Sequence, residues 1–174
     1  MLAMHPRQIQ QFRDVARREF QFLSWTFGFR EMQLSDEDRF AVQFISQTTQ
    51  VLVEGIEWGL RARVAIGRAG EHFENYDVGD LVTVRCPSLR SECPDGQLQQ
   101  IAYWASALQQ CAPDVLSGNF SVFPELQALV EARRPSPEHC DFCGRGESEV
   151  QWFYEARDAR ICDVCVRAAN RFPA

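Results

Sequence analysis

There is no lysine in this chain; all eighteen basic residues are arginine. A phosphate-binding loop of the Gly-x-x-x-x-Gly-Lys type cannot be built, which excludes a nucleotide-driven motor of that kind. Histidine is scarce too. His5, His72 and His139 are the three, too scattered for a two-histidine metal motif on one helix. No stretch approaches eighteen uninterrupted apolar residues, so no membrane-spanning helix is expected. The opening residues Met1-Leu2-Ala3-Met4-His5-Pro6-Arg7 contain no apolar run suited to a signal peptide. The protein is therefore expected to be cytoplasmic, with reduced thiols, which favours metal over disulfides.

What is present is concentrated near the C-terminus. Cys140-Asp141-Phe142-Cys143-Gly144 and Ile161-Cys162-Asp163-Val164-Cys165 carry two Cys-x-x-Cys pairs, separated by the eighteen residues from Gly144 to Ile161. Two intervening residues let one short turn aim both sulfurs at a single ion, and two such turns complete a four-thiolate zinc pattern. Sulfurs about 2.3 Å from the ion would close a tetrahedron with no open position, so the metal is expected to be one structural zinc. Gly144 suits the left-handed backbone of such a turn. The second pair opens a helix-compatible run, placing Cys162 and Cys165 where amide dipoles favour thiolates. A segment of some 35 residues buries too little surface to fold unaided, and metal binding would supply the missing stability.

At these residues the chain resembles the four-cysteine zinc-binding domain of ClpX, the ATPase subunit of the Clp protease. The likeness lies in Cys140-Asp141-Phe142-Cys143-Gly144-Arg145, Glu149-Val150, the ligand separation, and Ile161-Cys162-Asp163-Val164-Cys165-Val166 with Asn170. It implies a treble-clef-like zinc fold that dimerises and binds clients and adaptors. The chain departs from that family in three respects. The module is read as C-terminal, its helix is expected to be cut short by Arg171-Phe172-Pro173-Ala174, and no ATPase is expected after it.

The remainder reads as one α+β domain over residues 1–134, ahead of the zinc module at 138–174. Ile9, Phe12, Ala16, Phe20, Leu23 and Phe27 fall on one face of a helix from Pro6 to Phe27, stopped by Gly28. Ser35-Asp36-Glu37-Asp38 reads as a loop. Phe40–Phe44, Gln50–Glu54 and Leu60–Ile66 alternate as strands of an antiparallel meander, with Arg61 and Arg63 outward. Gly67 to Asn75 reads as a loop, Tyr76–Arg85 as a fourth strand, and Pro87–Gly96 as another loop. Leu98, Ile101, Ala105 and Leu108 give the next helix its apolar face, with Asp95 as its cap and Pro113 as its stop. A further helix follows Pro124, and Arg133-Arg134-Pro135-Ser136-Pro137 marks the domain boundary. This part resembles small bacterial α+β proteins of unknown or immunity-like function, through Phe22-Leu23 to Gly28-Phe29, Tyr76-Asp77-Val78-Gly79-Asp80-Leu81 and Leu116-Ser117-Gly118-Asn119-Phe120.

No catalytic set emerges, and a non-enzyme is expected. A nucleophilic thiol outside the zinc set would have to be Cys86, Cys93 or Cys111 beside an oriented histidine such as His72; nothing in the spacing enforces that. All three are expected as buried or incidental thiols. His139 is expected beside the zinc ligands or in solvent. Asp36/Asp38 and Glu71/Glu74 sit in polar loops with no apolar pocket evident around them, so they are expected as solvated charge. The formal charge of −6, and seven acidic residues from Glu138 to Asp163 against Arg145, Arg157, Arg160, Arg167 and Arg171, argue against a nucleic-acid partner.

Two readings remain from sequence. One is a zinc-binding protein-interaction adaptor that dimerises or binds a protein client. The other is a toxin-immunity-like inhibitory protein whose zinc module only stabilises it. Val150-Gln151-Trp152-Phe153-Tyr154 would form a hairpin strand sending Val150, Trp152 and Tyr154 to one face, for a partner, a second copy or the N-terminal domain.

Overall fold

The computed structural model describes residues 6–34, 40–70, 73–133, 139–156 and 159–169. The chain divides into two compact units, Met1–Leu126 and Gln127–Ala174. The expected loop at 35–38, His5, Glu71, His72 and the Pro135-Ser136-Pro137 boundary lie outside the described residues.

The first unit opens on α1 (Pro6–Glu19) and α2 (Gln21–Phe27). The expected single helix is broken at Phe20, whose backbone (φ −96°, ψ 6°) leaves the helical region. Both helices keep one apolar face: Phe12, Ala16, Phe20 and Leu23 are fully buried. Gly28 adopts φ +69°, and its amide and that of Phe29 both donate to the Leu23 carbonyl, closing α2.

Next come β1 (Arg30–Met32), β2 (Ala41–Ile45), β3 (Thr49–Ile56), β4 (Arg61–Arg68) and β5 (Asn75–Asp77). Among the described residues they form one antiparallel meander in the order β1-β2-β3-β4-β5. Register aligns like with like across it. Val42 faces Val53, which faces Val64; Phe44 faces Val51, then Ile66, then Tyr76. All seven are buried on the inner face. Phe20 stacks on Phe44 of β2 with ring centroids 6.2 Å apart, and Phe12 of α1 meets Phe40, just ahead of β2, edge-on at 5.5 Å. On the outer face Arg63 is engaged by Asp77 at 3.0 Å and Glu54 at 4.0 Å. A Cβ on Gly67 would lie 1.9 Å from the Glu74 carbonyl oxygen, so only glycine lets β4 and β5 close there.

The run expected as a fourth strand divides in two. β5 ends at Asp77, and α3 (Val78–Arg85) follows. Asp77 is the reason: its Oδ1 accepts the Gly79 amide at 2.7 Å, an N-cap that commits the chain to helix. Val78, Leu81 and Val82 then recur at helical spacing and are fully buried. Pro87–Glu92 forms a short 3-10 turn. Next come α4 (Gln97–Cys111), α5 (Pro113–Leu116) and α6 (Phe123–Arg133). Gly96, rather than Asp95, occupies the N-cap of α4. Ile101, Ala105 and Leu108 are buried as expected. Here α4 packs on β4, α1 and α3. The buried Gln100 accepts the Ala62 amide at 2.8 Å and donates to the Pro94 carbonyl at 3.0 Å. No helix among the described residues is long and apolar enough to cross a membrane.

Candidate metal centre

In the second unit the first ligand pair sits in a tight turn. The Gly144 amide donates to the Cys140 carbonyl at 2.8 Å, and the Cys140 amide to the Arg145 carbonyl at 2.8 Å. Gly144 takes φ +71° to make that return, the left-handed geometry its place in the sequence suggests. A hairpin follows, β6 (Phe153–Ala156) paired with β7 (Ala159–Cys162), and then α7 (Asp163–Ala169). Cys162 closes β7 and Cys165 lies in the first turn of α7. Turn, hairpin and helix in this order make a treble-clef-like module.

This arrangement brings Cys140, Cys143, Cys162 and Cys165 together, with all four sulfurs within 4.8 Å of one another. Cys140 and Cys162 are buried, Cys165 is half-buried and Cys143 is exposed. Sulfurs about 2.3 Å from one ion at tetrahedral angles stand about 3.8 Å apart. The Cys140–Cys165 and Cys143–Cys162 separations are 3.9 and 3.6 Å. The four cysteines thus form one metal site, consistent with a single structural zinc ion.

The electrostatics agree. Burial resists a thiolate at Cys140, but the amides of Cys162, Cys143 and Phe142 outweigh it and bring that thiol down to about 6. Cys165 is pushed up to about 12, first by its hydrogen bond to Cys143 and then by burial. A divalent cation among the sulfurs removes this conflict, because all four can then be thiolates. Around them, the Cys162 amide donates to Cys140 Sγ at 3.3 Å, and Arg145 Nη1 approaches Cys143 Sγ at 3.7 Å.

One supporting residue was not foreseen from sequence. Asp163, the first residue of α7, is buried. Its Oδ1 accepts the Gln151 amide at 3.1 Å, and its Oδ2 pairs with Arg167 at 2.9 Å. It ties the segment before the hairpin to the helix carrying Cys165. The available signal was an acidic first-turn residue four positions ahead of an arginine. Asp163→Ala removes both partners and is expected to cost the module about 1–3 kcal/mol. Titration with a chelator checks this: half-release should come at a lower chelator concentration than in the wild type, with one zinc still bound initially.

His139 is exposed and outside the ligand set. In the first unit, Cys86 and Cys111, expected as incidental thiols, are instead joined in a disulfide, and only Cys93 remains as a free thiol there. The ends of α3 and α4 converge and bring them together. His72, Asp36, Asp38 and Glu71 lie outside the described residues.

The chain therefore carries a four-cysteine zinc module at its C-terminal end. More particularly, residues 138–172 match the family model of the ClpX C4-type zinc finger, a zinc-binding domain involved in protein interaction. No curated protein and no solved structure matches the chain, and the resemblance read in the N-terminal part has no counterpart in these comparisons.

Proposed function

We propose that this is a non-catalytic, cytoplasmic adaptor whose zinc module engages a protein, either a second copy of the chain or a client. The observation that carries this reading is an exposed aromatic surface on the module. Trp152 and Tyr154 meet edge-on with ring centroids 4.3 Å apart. Both stay substantially exposed, 39% and 54%. Phe153, on the opposite face, is covered by the Arg160 guanidinium 4.0 Å above its ring. The alternation expected of the hairpin therefore leaves one aromatic face for a partner, although β6 starts at Phe153 rather than Val150. Exposed aromatics of this kind anchor interfaces, where Trp and Tyr carry a large share of the binding energy.

The charges of the module support a protein partner over a nucleic acid. Arg160 pairs with Glu147 and Glu155, and Arg167 with Asp163, so neither is free to meet a phosphate. The test is Trp152→Ala with Tyr154→Ala in the full chain. Self-association by sedimentation, or binding to an unfolded model client, is expected to weaken roughly tenfold or more with zinc content unchanged. Unaltered self-association together with unaltered client binding overturns the reading.

A further inference from the structure

The C-terminal ends of α3 and α4 are joined twice. Cys86, just after α3, is bonded to Cys111, the last residue of α4, with Cα atoms 6.2 Å apart and a sequence separation of 25. The second link is ionic. Arg85 meets both carboxylate oxygens of Asp114, one at 2.8 Å, and donates to the Cys111 carbonyl at 3.1 Å. Arg85 thus holds the same two helix ends as the sulfurs do, and Leu81, Val82 and Leu108 beside them are fully buried. The ion pair therefore links the two helix ends independently of the covalent bond.

The same chain carries a four-thiolate metal site, which persists only where thiols stay reduced. In such surroundings an intramolecular disulfide is transient and redox-responsive rather than a permanent staple. Access favours exchange from one side: Cys86 is half-buried, whereas Cys111 is 4% exposed.

From these observations we propose that Cys86 and Cys111 form a reversible dithiol–disulfide site, separate from the zinc ligands, that exchanges with a low-molecular-weight thiol such as glutathione. In the reducing direction the small thiolate attacks Cys86 Sγ. The Cys86–Cys111 bond breaks, Cys111 leaves as a thiolate, and Cys86 carries the mixed disulfide. A second small thiolate attacks that adduct on its own sulfur, giving the small-molecule disulfide and the Cys86 thiolate. Two electrons pass from two small thiols to the protein disulfide, and the reverse sequence restores the bond. The segment that responds is Pro87–Glu92. It hangs from Cys86 through the Leu89 amide to the Cys86 carbonyl at 3.0 Å, and from α4 through the Tyr103 hydroxyl to the Leu89 carbonyl. With the bond open, its tether to α4 is reduced to such hydrogen bonds and the Arg85–Asp114 pair.

The experiment uses the full-length zinc-loaded chain, equilibrated in buffers of graded reduced and oxidised glutathione, acid-quenched and differentially alkylated. Mass mapping of Cys86 and Cys111 is expected to follow a single transition from dithiol to disulfide within the series, with zinc stoichiometry constant. Arg85→Gln and Asp114→Asn should each move that transition roughly three- to tenfold toward the dithiol, because the helix ends are no longer held together in the reduced state. Amides of residues 88–92 should exchange faster in the reduced protein. Cys93→Ser, which leaves the pair intact, should not move the transition. If no disulfide forms at any ratio, or only glutathione adducts form, the two are merely neighbouring thiols and the proposal fails. It fails equally if the bond survives the most reducing mixtures until the domain unfolds, since the pair is then a fixed cross-link. Should either ion-pair variant not fold, the wild-type titration and exchange data still decide.

Discussion

Cys162→Ser is expected to abolish stoichiometric zinc binding and to unfold the C-terminal module while leaving the N-terminal unit folded. Cys162 is the most enclosed of the four ligands, with no exposed surface. It stands where β7 passes into α7, and its amide donates to the Cys140 sulfur. A hydroxyl there removes one thiolate from a closed tetrahedral set and loosens the other half of the site as well. Structural zinc contributes on the order of 10–16 kcal/mol to modules of this size, far beyond what a hairpin of two four-residue strands and a seven-residue helix can replace. Metal analysis should fall from one ion per chain to near zero, and hydrogen exchange in 153–156 and 159–169 should become as fast as in an unfolded peptide. Protection in 41–68 and 97–111 should be unchanged. Retention of one ion per chain by the variant would show that the ligand set is wrong. A strong chelator applied to the wild type should reproduce the same pattern, and loss of protection in both units would show a single integrated core.

The second large effect belongs to the first unit and should spare the metal. Phe20→Ala is expected to cost about 3–5 kcal/mol, the range for emptying a fully buried aromatic site. Phe20 has no exposed surface and lies where α1 gives way to α2. It touches Phe22 as well as stacking on Phe44. The Phe22 and Phe44 rings both lose that contact. Denaturant unfolding followed through the helical signal should shift to a lower midpoint, while zinc remains one per chain. A midpoint displaced by less than the equivalent of about 1 kcal/mol would mean that the site collapses around the smaller side chain.

How much of this was legible in the sequence depended on how local the deciding contact was. The metal site was readable because its information lies in spacing: Cys140 to Cys143 and Cys162 to Cys165 each fit one turn, and no other cysteines are paired that way. β2, β3 and β4 were readable because alternation with period two directly reports a half-buried sheet. β1 was not, since Arg30, Glu31 and Met32 are all exposed and show no pattern; pairing with β2 alone makes it a strand. Val78–Arg85 carries enough β-branched residues to pass for a strand. A single side-chain bond from Asp77 to the Gly79 amide decides for helix, and composition does not contain it. The break at Phe20 was hidden for a related reason: the apolar face continues unbroken through it. Asp163 and the Cys86–Cys111 bond stayed invisible because each depends on where two elements meet in space.

The outermost strands of the large sheet among the described residues, β1 and β5, are three residues each and carry polar or charged groups: Arg30 and Glu31 on one side, Asn75 and Asp77 on the other. A long, flat, apolar rim would expose unpaired amides and carbonyls as a template for further strands, the usual route to fibrils and runaway assembly. Here each rim offers only a short ladder flanked by charge. The central strands, rich in Val, Leu and Ile, are thereby flanked by short, charged edges, which disfavours polymerisation through this sheet.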